Sequence, residues 1–554
     1  MLPVCVVTFV LNALMGVLGI TTPPTVNIKN GTVVGLNLPQ FKQHAFLGIP
    51  YAQPPTGCLR LSRPRSVKIT FKRFDATKYS PLCWNAPTTD PQRPSDGAGI
   101  PQSEDCLTIN VVRPDNIAAS HSLLPVMFWI HGGGLIEGGS GIDWHNGSYL
   151  VQAGMNFKNP IIFVSINYRL SQLGFLAGKA LAEEGNLNLG HYDQRLALYW
   201  VQENIAAFGG DPAKVTIFGE SSGAYSVGMH FRAFGGRDDN LFRAGIAQSG
   251  SADNYPLPDS PNLQSSYDRL VANSSCRAFI TAETQLACLR QIPVDEFRFA
   301  VQDWATSAVV DGDIIPLSTG NALNAYRKGL FVKKPFMTGA NTDEGAGLVG
   351  NPNSMAQFMK TLDLLGLDDA TLRRLLELYP NEPYLGVPYN TGAFLPFGPE
   401  SFYKQVSSIF GDAVFIALRR FVAEQLASQK VPVRSYRFNQ IAINSTDAAG
   451  VVHFSEVAYV FGNPTCPMQH DICLSPRAGD RALSNLMQSM WISFAVHLDP
   501  NMNNFPGAPI WPDYSENAEN MRFQNGGSST EKDNFRQEGI QFLIDNLFPT
   551  LGGM

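Results

Sequence analysis

Three near-continuous apolar runs of strand length, Leu124-Pro-Val-Met-Phe-Trp-Ile130, Pro160-Ile-Ile-Phe-Val-Ser-Ile166 and Lys214-Val-Thr-Ile-Phe218, restrict the fold of this chain more than any other feature. A strand that is apolar on both faces must be covered on both faces, which is the position of a strand in a parallel sheet with helices above and below it. Between the second and third runs, Leu198, Val201, Ile205 and Phe208 recur at i, i+3, i+7 and i+10, and the pattern stops at Gly209-Gly210-Asp211-Pro212. That spacing reads as a helix with one apolar stripe and a terminator. Strand, helix and strand in this order imply a right-handed crossover. The expected fold class is therefore α/β, a large mainly parallel central sheet flanked by helices, which the runs at 245–248, 335–339 and 433–438 extend.

The 554 residues would suggest three or four domains at about 150 residues each. No internal repeat, low-complexity block or Gly/Ser-rich linker divides them, so one domain spanning 21–554 is expected. With 41 Lys+Arg against 47 Asp+Glu the formal net charge is −6, which disfavours a nucleic-acid partner. At 44% hydrophobic and 16% charged residues the chain can fill a large core, and it is neither disordered nor a charged coiled coil.

Residues 1–20 carry no charged side chain and are followed by Thr-Thr-Pro-Pro, the pattern of a secretory signal peptide. The alternative, an uncleaved membrane anchor, is disfavoured because the apolar run is short for a bilayer span. A secreted, extracellular glycoprotein fits the four N-x-S/T sequons at Asn30, Asn146, Asn273 and Asn444. Of eight cysteines, Cys5 leaves with the signal. Cys83 with Cys106, Cys276 with Cys288 and Cys466 with Cys473 form three close-spaced pairs that could staple surface loops, leaving Cys58 as a free thiol. None has C-x-x-C spacing and no histidine falls at a matching interval, so a zinc site is not expected.

Gly219-Glu220-Ser221-Ser222-Gly223 lies directly after the third run and before the helix-like Ala224-Tyr-Ser-Val-Gly-Met229. A G-x-S-x-G at a strand-to-helix turn forces its serine into a strained conformation and projects the hydroxyl from the sheet edge, where Ser221 could act as a nucleophile. Such a serine needs a base to take its proton and an acid to orient the base, in the chain order Ser, acid, His. After Ser221 stand His230, His453, His470 and His497. His230 falls inside the helix leaving the turn, His470 in the Cys466–Cys473 loop, and His497 at the end of an apolar helix. His453, in Val451-Val-His-Phe-Ser-Glu456, remains. The acid is expected in Asn341-Thr-Asp-Glu-Gly345, after the 335–339 run, and periodicity does not choose between Asp343 and Glu344. His131-Gly-Gly-Gly134 follows the first run. Its bare backbone N–H groups suit an oxyanion, whereas a phosphate loop lacks its G-K-[ST] and would face Glu137.

With these residues in place, the chain resembles the type-B carboxylesterase/lipase family, the cholinesterase-like branch of the α/β-hydrolases, and looks most similar to its secreted fungal lipases and esterases. The resemblance runs through Phe46-Leu-Gly-Ile-Pro-Tyr-Ala-Gln-Pro-Pro55 with Arg60, Ser103-Glu-Asp-Cys-Leu107, Asn167-Tyr-Arg169, Asp193-Gln-Arg195, Phe208-Gly-Gly-Asp-Pro212, Gln248-Ser-Gly250 and Val460-Phe-Gly462. It implies a secreted serine ester hydrolase acting through an acyl-enzyme, with Ser221 as nucleophile, Glu344 as acid and His453 as base. It further implies Gly133, Gly134 and Ser222 as oxyanion donors, Ser249 beside Glu344, and buried pairs Arg60–Glu104 and Arg169–Asp193. The pairs Cys83–Cys106 and Cys276–Cys288 match the family's two loops. No cofactor or metal is implied. The partner is a small-molecule or lipid ester, with transient contact to lipid interfaces an option.

Between Cys83 and Cys106 lie 22 residues rich in Pro, Asp and Gly, through which no helical apolar stripe can be drawn. In the family this loop forms the lid, so a large interfacial lid is not expected and an accessible esterase is favoured over a true lipase or sterol- or carotenoid-ester esterase. Trp84 sits next to Cys83 instead of deep in the loop, which disfavours a choline esterase. The non-catalytic adhesion members of the family lose the nucleophile, acid or histidine, whereas all three are present here.

Overall fold

The strands that form are β1 (Thr25–Ile28), β2 (Gly31–Val34), β3 (Leu36–Leu38), β4 (Gln43–Pro50), β5 (Phe71–Asp75), β6 (Thr108–Pro114), β7 (Leu124–Ile130), β8 (Ile162–Ile166), β9 (Gly210–Glu220), β10 (Ala244–Gln248), β11 (Phe336–Asn341), β12 (Val433–Phe438), β13 (Glu519–Phe523) and β14 (Ser529–Lys532). The computed structural model describes residues 22–87, 97–117, 122–258, 260–301, 306–389, 391–443, 445, 449–464 and 474–547. Among these residues, eleven strands form one sheet in the order β3-β4-β6-β8-β7-β9-β10-β11-β12-β13-β14, and β1, β2 and β5 form a small second sheet. From β8 to β13 all neighbours are parallel. The β3–β4, β4–β6, β6–β8 and β13–β14 pairs are antiparallel.

All six expected runs are strands of the large sheet. The run at 214–218 proves longer, because β9 starts at Gly210 and continues through Pro212. The expected amphipathic helix spans Leu189–Asn204 and continues as a 3₁₀ turn to Phe208, where Gly209 stops it in the left-handed region at φ 85°. Leu198, Val201, Ile205 and Phe208 are completely buried.

The two-sided burial of the central strands follows from their alternation. Val126, Phe128 and Ile130 of β7 and Val215 and Ile217 of β9 face one core cluster, which the Leu189–Asn204 helix covers. Met127, Trp129 and Phe218 face the other, capped by Met487, Met490, Trp491 and Phe494 of the Ala478–His497 helix. Because both faces are packed, truncating a side chain such as Phe128 or Trp129 to Ala would cost about 3–5 kcal/mol. A third cluster joins Leu173, Leu289 and Phe297 beside the Cys276–Cys288 disulfide. Cys83–Cys106 is also bonded, and Cys58 is free and exposed.

Residues 1–20, Asn444 and the Cys466–Cys473 pair lie outside the described residues. Of the other sequons, Asn273 is exposed and Asn30 and Asn146 are half-buried.

Register brings the chemistry to one edge. Ile130 pairs with Gly219, Glu220 with Gln248, and Gln248 with Gly339, so β7, β9, β10 and β11 end side by side. Strand order reverses between β7 and β9, since β8 lies on the far side of β7. Crevices outside the carboxyl ends at such a reversal are where ligands bind in open α/β sheets.

Candidate active site

Ser221 adopts φ 57° and ψ −126° between the end of β9 and the Ser222–Gly236 helix. This conformation strains an L-residue by about 1–3 kcal/mol and persists only where the surroundings enforce it. Here the enforcement is steric. A Cβ on Gly219 would lie 2.6 Å from both Gly223 C and Ile130 O, and a Cβ on Gly223 would lie 2.1 Å from Ile130 O. The Ser221 N–H donates to Gln248 O at 2.9 Å, which ties the turn to β10.

The glycine loop after β7 packs against this turn. A Cβ on Gly132 would meet Glu220 O at 2.7 Å and Ser221 Cβ at 3.1 Å, and one on Gly133 would meet Glu137 O at 2.2 Å. Gly133 and Gly134 sit at φ 94° and 62°. His131 shapes the loop: its Nδ1 lies 2.9 Å from Gly132 O, and its ring stacks on Tyr168 at 4.4 Å. Burial pulls His131 down to about 4, so the ring is neutral at ordinary pH. The Ser222 amide belongs to the first turn of its helix, where backbone N–H groups have no intrahelical acceptor and the helix dipole favours negative charge.

The structure distinguishes the two carboxylates that spacing left open. Glu344 Oε2 lies 2.6 Å from His453 Nδ1, while Oε1 accepts from Ser249 Oγ and from the Asn341 N–H, both at 2.6 Å. Asp343 faces another way and accepts the N–H groups of Tyr389 at 2.9 Å and Val451 at 2.8 Å. It therefore clamps the chain two residues before His453, and at Gly450, φ 70°, a Cβ would lie 2.4 Å from Asp343 Oδ2. Burial pushes Asp343 up to about 6 against the pull of these two amides.

Around His453 the site holds three groups that spacing did not single out. Phe415 covers the imidazole at 4.4 Å between centroids. Glu220, the residue before the serine, places Oε1 3.1 Å from His453 Nε2. Glu456 accepts from Asn341 Nδ2 at 2.7 Å and from Gln248 Nε2 at 3.2 Å, and Gln248 Oε1 in turn accepts from Trp491 Nε1 at 3.1 Å. Burial works against charge on His453, but Glu220 and Glu344 outweigh it and raise the ring to about 9. Burial, and then the neighbouring Glu344, push Glu456 upward. A ring that gives its Nδ1 proton to Glu344 has only a lone pair left at Nε2, so a carboxylate 3.1 Å from Nε2 favours the imidazolium. The Nε2 edge of His453 points to Glu220. Motif spacing contains the signal for Glu220 and Glu456, as neighbours of Ser221 and His453, but not their direction.

Two of the other histidines fall where expected. His230 is buried in the Ser222–Gly236 helix against Gln194, His497 ends its helix on Asn159, and His470 lies outside the described residues. Arg60 binds Glu104 through two bonds of 2.6 and 2.7 Å, and Arg169 binds Asp193 through two of 2.8 and 2.7 Å, both pairs largely buried. Among the described residues no group of three or more His, Cys, Asp or Glu side chains could hold a metal ion.

A mainly parallel sheet of this order, with a strained serine after the strand at its reversal point, is the α/β-hydrolase fold. The crystal structure of Aspergillus niger EstA superposes with a TM-score of 0.80 at 28% identity, covering 95% of this chain and 98% of that one. Lipase 4 of Diutina rugosa is 32% identical over 571 residues, 96% of this chain and 97% of that protein. Secreted lipase 1 of Botryotinia fuckeliana is 31% identical over 556 residues, 95% and 93% of the two chains. Residues 22–543 match the model of the Carboxylesterase family, and the chain belongs to that family as a carboxylic-ester hydrolase.

Proposed function

We propose that Ser221, His453 and Glu344 carry this hydrolysis as nucleophile, base and acid. The observation that carries the reading is the 2.6 Å contact of Glu344 Oε2 with His453 Nδ1. It joins two segments 109 residues apart at the same sheet edge as the strained Ser221. His453 takes the Ser221 proton, and the serine oxygen attacks the ester carbonyl. The amides of Gly133, Gly134 and Ser222 receive the oxyanion, an alcohol leaves, and water repeats the sequence on the acyl-enzyme. Each oxyanion donor contributes about 3 kcal/mol. Ser249 fixes Glu344, and Glu220 meets the imidazolium formed at proton transfer.

The substrate class is esters of fatty or other carboxylic acids, hydrolysed outside the cell by one hydrolase unit spanning 21–554 after removal of residues 1–20. Asn30, Asn146, Asn273 and Asn444 are the candidate glycan acceptors, and Cys466 with Cys473 is a candidate third disulfide. Extracellular action is supported by a relative named a secreted lipase. The relatives named lipases also favour a second reading, a true lipase that works at lipid interfaces, with a sterol- or carotenoid-ester esterase as a further form of it. Initial rates on p-nitrophenyl esters of increasing acyl length, with an emulsified triacylglycerol alongside, separate the two. A peak at short or middle chains without a rise on the emulsion is the esterase result. Rates that climb with chain length and jump at the emulsion establish the lipase and overturn the short-lid argument.

A further inference from the structure

A second cleft, of about 640 Å³, opens at the same carboxyl edge of the sheet but at the opposite margin, beyond β11. Its volume lies within the roughly 300–1,000 Å³ typical of small-molecule sites. Its lining includes Thr342 and Asn439, which follow β11 and β12, with Arg437, Arg522 and Glu531 from β12 to β14, and none of the residues assigned above to the ester-hydrolysing machinery.

The cations of this cleft outnumber its carboxylates, although Thr342 Oγ1 and Asn439 Oδ1 accept from Arg437 and the lining also carries the unpaired acceptor Gln405 Oε1. Arg437, Arg522, Lys532 and Arg536 line it against a single lining carboxylate among the described residues, Glu531. Arg437 occupies that carboxylate with two bonds of 2.5 and 2.7 Å, and Arg522 reaches it only at 3.6 Å. Outside the lining, Glu519 lies 3.2 Å from Lys532 and Asp412 lies 2.6 Å from Arg536. After those pairs, Arg522 Nε, Arg536 Nε and Arg536 Nη1 still have no acceptor, and neither does the buried hydroxyl of Tyr389. Guanidinium groups can only donate, so whatever completes this set must bring oxygens. The remaining wall is apolar or aromatic: Leu378, Pro380 and Phe535, with Leu385 and Tyr384 at the mouth, 58% and 72% exposed.

The geometry points to a second binding site for an amphiphilic carboxylate, its head on Arg522, Arg536 and Lys532 and its chain along Leu378, Pro380, Leu385 and Phe535. Naming this ligand as the acid released by ester hydrolysis rests on the function proposed above; the binding class rests on the cleft alone. The acid released at Ser221 would thus have a resting place at the same sheet edge, outside the reacting centre.

Calorimetric titration of decanoate into the full chain, after Ser221 has been blocked with a long-alkyl phosphonate, tests the site with the acyl pocket filled. The expected result is one-to-one binding, weakened tenfold or more by Leu385→Glu, which sets a carboxylate at the mouth, and by Arg522→Gln, which removes the donor fork. Decanol should bind at least tenfold more weakly than decanoate. Both unblocked variants should hydrolyse a short p-nitrophenyl ester within twofold of the parent rate. Absence of binding to the blocked parent, equal affinity in both variants, or equal affinity for decanol overturns the site. Failure of the phosphonate to attach, read by mass, contradicts the serine assignment instead, and the two variants still decide the cleft because neither touches Ser221.

Discussion

The two halves of the sheet edge that carries Ser221 and His453 are held by different physics. The β7–β9 half, with the glycine loop and Ser221, is shaped by exclusion: Gly219 and Gly223 are glycines because a Cβ would strike backbone at 2.6 and 2.1 Å. The β11–His453 half is shaped by attraction: two adjacent buried carboxylates divide the work, Glu344 on the imidazole and Asp343 on the Val451 and Tyr389 amides. A Cβ driven against backbone, as at Gly223 against Ile130 O, has no room to adjust, whereas a lost carboxylate contact lets the loop it holds shift. The first half should therefore fail by misfolding and the second by misalignment.

The largest effect separating chemistry from scaffold should come from Ser221→Ala and His453→Ala. Each is expected to lower kcat on the order of 10⁴-fold or more, with the thermal midpoint held near that of the parent. Retained hydrolysis by purified Ser221→Ala protein sinks the assignment. Next, Glu344→Gln should cost about 10⁴ in kcat by leaving the ring in the wrong tautomer. Asp343→Asn should cost only on the order of 10 to 100-fold through a displaced His453, with about 1–3 kcal/mol of stability lost at the Val451 and Tyr389 amides. If the two losses are reversed, the division of labour between the carboxylates is wrong. In the steric half, Gly223→Ala should destabilise by about 3 kcal/mol or more. Gly134→Ala, where the nearest atom to a Cβ is 3.8 Å away and only φ is unfavourable, should cost about 1–2 kcal/mol. Denaturant midpoints compare them, and equal losses would remove the steric argument.

The smallest effect is electrostatic. The base form of His453 is required for attack, so kcat/KM should rise with pH through the ring's titration at about 9. Glu220→Gln removes one of the three anions that hold that value up, so the rising limb should move to lower pH. A limb that stays put or moves to higher pH contradicts the role given to Glu220.

What was legible in the sequence follows the same division. The buried strands, the Leu198–Phe208 stripe, Ser221 and the glycine loop are written in local spacing, and all lie where that spacing implies. Asp343 and Glu344 were not separable, because adjacent residues after a strand point apart and only the tertiary fold says which meets the histidine. Resemblance to the family implies Glu344, and Glu344 is the one of the two that contacts His453. Phe415, in a helical segment far from both motifs, carried no signal. The helices Pro261–Ala272, Ala282–Gln291 and Val294–Ala300 carry no such local signal either, since they pack mainly on a satellite cluster around a disulfide and not on the sheet. Trp84, whose place beside Cys83 disfavours a choline esterase, lies under Arg298 at 3.8 Å, and residues 88–96 of the Cys83–Cys106 loop lie outside those described.

The central claim is that Ser221 forms the bond to the acyl group. Peptide mapping by mass after reaction with a p-nitrophenyl alkylphosphonate tests it most directly. The expected result is one phosphonyl group per chain, located on Ser221, with activity lost in proportion to its incorporation and no label on the Ser221→Ala protein. Inactivation with the label on another residue, or full activity in a chain stoichiometrically labelled at Ser221, would contradict it.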